Sequence, residues 1–122
     1  MTAREAGAGM VLIVDDDRDL RESLLELLRD AGFSAVGAAS GTEALDILRK
    51  SQPCLVLADL SMPGLDGTSL MREAQSMMEV APVFVFVTGV LPSAIGDVGA
   101  PLMTKPIDID QLLRLVGQHC AG

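Results

Sequence analysis

The run Met10-Val11-Leu12-Ile13-Val14-Asp15-Asp16 decides the fold: a short apolar strand, with two carboxylates standing where it runs out. Three further runs repeat the arrangement. Cys54 to Ala58 ends in Asp59, Val83 to Val87 ends in Thr88, and the short stretch Leu102-Met103 leads to Thr104-Lys105-Pro106. Val83 to Val87 is apolar throughout, as a strand buried on both faces should be. The carboxyl ends of neighbouring strands in a parallel sheet share one edge, and open α/β sheets bind ligands in the crevice along it. Three carboxylates, a hydroxyl and an ammonium are therefore expected to converge there.

Between these runs the pattern turns helical, which is the signature of βαβ units with helices on both faces of a parallel sheet. Leu20, Leu24, Leu27 and Leu28 recur at helical spacing, and Gly32 is placed to stop the helix. Phe33 to Ala38 reads as a weaker second strand. Ser40 with Glu43 forms a capping box that opens a helix through Ala44, Leu45 and Leu48. After the turn residues Pro63, Gly64 and Gly67, a third helix carries Leu70, Ala74, Met77 and Met78 on one face. Asp108 and Gln111 cap the last helix, with Ile109, Leu112, Leu113 and Val116 facing inward. Gly89 to Pro101 holds three Gly and two Pro and supports at most one or two helical turns.

Charge dictates what the shared edge can hold. Two unit charges about 4 Å apart interact by roughly 4 kcal/mol at an effective dielectric of about 20. Three clustered carboxylates thus call for a cation. With oxygen ligands only, and no Cys or His near them in sequence, the expected ion is Mg²⁺ or Mn²⁺ rather than zinc. Mg²⁺ typically binds one or two carboxylates, waters and a phosphate, so the edge reads as a phosphoryl-transfer site.

Composition narrows the remaining classes. A chain of 122 residues suits one domain with a sizeable core and leaves no room for a catalytic domain plus a cap. The net charge of −8 argues against nucleic acid or an anionic membrane as direct partners. Cys54 and Cys120 show no framework spacing, which suits a reducing compartment, and cytoplasmic placement is expected. No segment approaches a membrane span or a signal peptide. Residues 1–9, rich in Ala and Gly, read as a flexible leader or the remnant of a cut from a longer chain, and residues 10–120 as the domain.

The strings Val11-Leu12-Ile13-Val14-Asp15-Asp16-Asp17, Leu55 to Gly67, Val87-Thr88-Gly89 and Thr104-Lys105-Pro106 resemble, in order, the receiver domain of two-component response regulators. The resemblance runs from about Met10 to Val116. It implies a flavodoxin-like fold, one doubly wound five-stranded parallel sheet of order 2-1-3-4-5. It also implies a phosphorelay function in which Asp59 is the phosphoacceptor, supplied by a histidine kinase, a phosphotransfer protein or a small acyl phosphate. Asp15, Asp16, Asp59 and the backbone carbonyl of Ser61 would hold Mg²⁺, with Mn²⁺ able to substitute. Thr88 and Lys105 would each bind a phosphoryl oxygen, and the Lys105–Pro106 peptide is cis in the family. Such a domain catalyses only its own phosphorylation and dephosphorylation. The output partner is not specified by the sequence.

Each residue also has a plainer reading. An isolated Asp after a strand is commonly a helix cap, Asp17 and Asp19 suit the first turn of a helix, and His119 suits a helix C-terminus at the surface. Only the constellation carries function. The chain departs from the family in two places: Leu102 stands where an aromatic switch residue is usual, and only sixteen residues separate Thr88 from Lys105, so the fourth helix of the family is shortened or missing. Such shortening resembles receivers attached to hybrid sensor kinases. Two alternatives are a receiver-like interaction module that is never phosphorylated, and a haloacid-dehalogenase-like phosphatase. The first typically lacks an acid or the lysine, and all are present here. The second needs Thr or Val where Asp19 stands.

Overall fold

Strands and helices alternate as the apolar runs require. The structure, a computed structural model, describes residues 9–90 and 95–120. The elements are β1 (Met10–Val14), α1 (Arg18–Asp30), β2 (Ser34–Ala38), α2 (Gly41–Lys50), β3 (Leu55–Asp59), α3 (Gly67–Met77), β4 (Val83–Thr88), β5 (Leu102–Thr104) and α4 (Ile109–His119). All strand pairs are parallel, in the order β2-β1-β3-β4-β5. This is the doubly wound arrangement that the resemblance implied. The expected leader falls almost entirely on residues 1–8, outside the described residues.

Side chains of a strand alternate between the faces of its sheet, and here each face builds its own core. Val11, Ile13, Leu55, Leu57, Val85 and Val87 point toward α1 and α4, where Leu24, Leu28, Leu112 and Val116 meet them. Leu12, Val14, Val56, Ala58, Phe84 and Phe86 point the other way, onto Leu45, Leu48, Leu70 and Met71 of α2 and α3. Each fully buried aliphatic side chain contributes about 1.5–3 kcal/mol of transfer free energy. β1 and β3 are central, so they are apolar on both faces. β5 is a three-residue edge strand paired only with β4.

The helix ends follow local chemistry. Asp17 caps α1, its Oδ1 accepting from the N–H groups of Asp19 and Leu20. At the other end Gly32 adopts φ +95°, Gly32 N–H donates to the Arg29 carbonyl, and Phe33 N–H donates to that of Leu28. That pair of bonds is a Schellman stop, and it leaves Phe33 ahead of β2 rather than within it. Ser40 Oγ accepts from Glu43 N–H, while the Glu43 carboxylate reaches Ala39 N–H, one residue beyond the expected box.

Two expectations about helix faces need correction. Met77 is 40% exposed, because α3 ends there and its buried stripe runs through Leu70, Met71 and Ala74 instead. Ile109, the first residue of α4, is 36% exposed, and Leu112 and Val116 carry the packing. Between β4 and β5 no helix occurs among the described residues, in keeping with the shortened or missing fourth helix expected, and residues 91–94 lie outside them. Leu102 sits half-buried at the start of β5, opposite Phe86.

The two cysteines are corrected most plainly. Cys54 and Cys120 form a disulfide, with Cα atoms 5.5 Å apart across 66 residues of sequence. Cys54 leads into central β3, and Cys120 ends α4 on the face where that helix packs. Their meeting is a product of topology that their spacing could not signal. Disulfides are rare in reducing compartments, so the cysteines no longer argue for one.

Candidate functional site

Among the described residues, three polar or charged side chains are buried, Asp15, Asp59 and Thr88, and all three stand at the carboxyl edge of the sheet. Asp59 is the last residue of β3, buried at every position along its length. Ser61 N–H donates to Asp59 Oδ1 at 2.9 Å, leaving Oδ2 to accept from Lys105 Nζ at 3.0 Å. The ammonium also lies 3.6 Å from Asp15 Oδ2. Lys105 follows β5, where its N–H donates to the Thr88 carbonyl at 2.8 Å. The Lys105–Pro106 peptide is cis.

Asp15 sits one residue beyond β1. Its N–H donates to the Ala38 carbonyl on β2, and its Oδ1 accepts from Asp17 N–H at 2.9 Å. Asp16 is exposed beside it. Asp15, Asp16 and Asp59 each present a carboxylate oxygen within 4.8 Å of the others. Thr88 ends β4, and its Oγ1 accepts from Val90 N–H at 3.2 Å. An open cleft beside these groups is lined by Asp59, Ser61, Met62, Thr88, Val90 and Lys105.

Burial, reinforced by the charges of Asp59 and Asp16, pushes the Asp15 carboxyl above its ordinary pKa despite the Asp17 N–H and Lys105. For Lys105, burial works to lower the pKa, but the hydrogen bond to Asp59 and the charges of Asp15 and Asp59 outweigh it and hold the ammonium above its usual value. The lysine is therefore a permanent cation facing a surplus of negative charge. A donor set of three hard oxygens with that surplus fits a divalent cation such as Mg²⁺. An ammonium, a hydroxyl and a cation around one carboxylate are the elements that neutralise charge in phosphoryl transfer.

The structure thus brings together Asp15, Asp16, Asp59, Thr88 and Lys105, with Ser61 present through its backbone N–H. Asp17, Asp19 and His119 stay outside, as a helix cap, a first-turn acid and an exposed last-turn residue. Arg21 had gone unnoticed in the sequence: its Nη1 donates to the Asp15 carbonyl at 2.8 Å. Its position one turn into α1 after Asp17 is the only signal that pointed to it.

Residues 11–117 match the response regulator receiver domain family. The chain belongs to that family. As a receiver domain it is a module of phosphorelay signal transduction in two-component systems. It is similar to the C4-dicarboxylate transport transcriptional regulatory protein DctD of Rhizobium meliloti (strain 1021), with 35% identity over 114 residues, 89% of this chain and 25% of that protein. The receiver thus spans about a quarter of that relative's length. Among solved structures it resembles a response regulator receiver protein from Pseudomonas putida at 30% identity and TM-score 0.82, covering 93% of this chain and 98% of that one. It also resembles the signal receiver domain of a signal transduction histidine kinase from Syntrophus aciditrophicus, at 26% identity and TM-score 0.82, covering 94% and 92%.

Proposed function

We propose that this receiver accepts a phosphoryl group on Asp59 in a Mg²⁺-dependent step, the donor being a histidine kinase or a phosphotransfer protein. The observation that carries the reading is the buried Asp59 carboxylate, held by the Lys105 ammonium at 3.0 Å and within 4.8 Å of carboxylate oxygens of Asp15 and Asp16. An Asp59 oxygen attacks phosphorus, the bond from phosphorus to the donor atom breaks, and the donor keeps the electron pair. Asp15, Asp16, Asp59 and the Ser61 carbonyl hold the cation, Mg²⁺ or Mn²⁺, which supplies charge neutralisation when bound. Lys105 and Thr88 take the remaining phosphoryl oxygens. The domain promotes only its own phosphorylation and dephosphorylation and is not an enzyme acting on other substrates.

The rest of the reading follows from charge and from likeness. A surface with net charge −8 favours protein partners over nucleic acid or anionic membrane. The receiver occupies residues 10–120 with 1–9 as a leader, works in the cytoplasm where phosphoryl donors are made, and serves as a relay or regulator. No helix among the described residues is long and apolar enough to cross a membrane. Intact mass after incubation with Mg²⁺ and acetyl phosphate should rise by one phosphoryl group, and Asp59→Asn should stay unmodified. A wild-type mass unchanged by both acetyl phosphate and a competent kinase would overturn the reading.

A further inference from the structure

We propose that Arg21 is a positioning residue for the Asp15–Asp16 pair, locking the turn that carries both carboxylates through its bond to the Asp15 carbonyl. The inference rests on the divalent-cation site proposed above. The chain must leave β1 at Val14 and enter α1 at Arg18, so Asp15 and Asp16 stand on a short turn outside both elements. Turn backbone is held only by the hydrogen bonds it finds. The Asp15 N–H is fastened to Ala38 of β2, its Oδ1 to Asp17 N–H, and its carbonyl to the Arg21 guanidinium at 2.8 Å. Those three bonds leave Oδ2 to face Lys105. Without Arg21 the carbonyl loses its partner and the turn can rotate about it.

A second observation points the same way. Gly37 of β2, beside the Ala38 that holds the Asp15 N–H, lies under the arm of Arg21. A Cβ built there would meet Arg21 Cδ at 3.1 Å, Arg21 Cγ at 3.2 Å and Leu25 Cδ1 at 3.0 Å. Glycine weakens a strand and marks a close approach of other groups. Here it leaves the path along which the guanidinium reaches the β1 turn. Arg21 makes no salt bridge among the described residues, so its role is geometric rather than neutralising. A lysine, with its point charge and shorter reach, would only partly replace it.

The test uses Mn²⁺ alone as probe, with binding followed by electron paramagnetic resonance, and phosphorylation by acetyl phosphate measured across Mg²⁺ concentration. Arg21→Ala should weaken Mn²⁺ binding on the order of tenfold, the scale seen when a residue that orients metal ligands is removed. The Mg²⁺ needed for half-maximal phosphorylation should rise in step, while the rate at saturating Mg²⁺ stays near wild type. Arg21→Lys should recover part of the affinity. Gly37→Ala, which crowds the arm with Arg21 present, should weaken binding too, and the double variant should be no worse than the worse single one. Wild-type Mn²⁺ affinity in Arg21→Ala, or additive losses in the double variant, would overturn the inference. Should Arg21→Ala not fold, Arg21→Lys and Gly37→Ala decide by the same readout. A wild-type chain that binds no Mn²⁺ fails the cation-site reading instead.

Discussion

Lys105 Nζ lies 3.0 Å from Asp59 Oδ2, joining residues 46 positions apart. The ammonium therefore touches the carboxylate proposed as the phosphoacceptor. Lys105→Ala should reduce the rate of phosphorylation by acetyl phosphate by about 10²-fold, the scale for one preorganised donor, without abolishing it. Quench-flow with intact-mass detection measures this. An unchanged rate would remove Lys105 from the chemistry.

Asp15 is the acid whose ionisation the fold opposes. Its raised pKa means that the folded chain binds this proton more tightly than the unfolded chain does. The penalty is absent below about 3.8, grows as pH rises from there to the raised value, and is complete above it. Metal-free Asp15→Asn should thus melt higher than wild type at pH 7, with the gap closing as pH falls from the raised value to about 3.8. Mg²⁺ should raise the melting temperature of wild type and barely affect the variant. A full Mg²⁺ response in Asp15→Asn would place the cation elsewhere.

Asp66 caps α3, with Oδ1 accepting from Ser69 N–H at 2.9 Å, and that bond holds its carboxyl below the ordinary value of 3.8. Asp66→Ala should cost about 1 kcal/mol at neutral pH. The stabilisation from the ionised cap is present above 3.8 and fades as pH falls through the lowered value, so chemical denaturation of wild type and variant should converge in acid. Asp66→Asn should keep most of the stability at all pH values.

Gly67 begins α3 directly behind the proposed acceptor. A Cβ there would lie 2.7 Å from the Asp59 carbonyl oxygen and 3.1 Å from the Phe86 ring. Gly67→Ala should destabilise the domain by about 1–3 kcal/mol, the usual cost of overpacking, and should slow phosphorylation by shifting Asp59. Urea titration together with the acetyl phosphate rate checks both halves.

The Cys54–Cys120 bond closes a 66-residue separation, for which loop-closure entropy gives about 4 kcal/mol. Treatment with a phosphine reductant should lower the melting temperature by roughly 10 °C or more. Cys54→Ser should melt at the reduced temperature with or without reductant. Equal melting of the oxidised and reduced wild-type chain would deny the bond any part in stability.

Most of the fold was legible because periodicity and end signals agreed. The runs ending in Asp15, Asp59 and Thr88 are the central strands, and Ser40 and Asp108, each ahead of an apolar stripe, mark real caps, whereas the Asp66 cap of α3 went unread among its turn residues. The acid cluster was legible for the same reason, since parallel strands bring their ends to one edge. What escaped depends on three-dimensional proximity. The disulfide joins residues with no shared periodicity, and Arg21 acts on a backbone carbonyl, a partner that every residue offers. Met77 and Ile109 were misplaced because both lie at helix ends, where helical spacing continues but the neighbouring element does not.

The two halves of the Asp59–Lys105 pair are mounted unequally. Asp59 ends a strand enclosed on every side, whereas Lys105 follows three residues of strand at the margin of the sheet, hydrogen-bonded to one neighbour only. Any new charge appearing at Asp59 pulls on both, and the displacement goes to the softer mounting. The domain therefore works as a stiff anvil with a compliant arm. Deflection should emerge along the β5 margin, where another molecule can feel it, and not through the middle of the sheet.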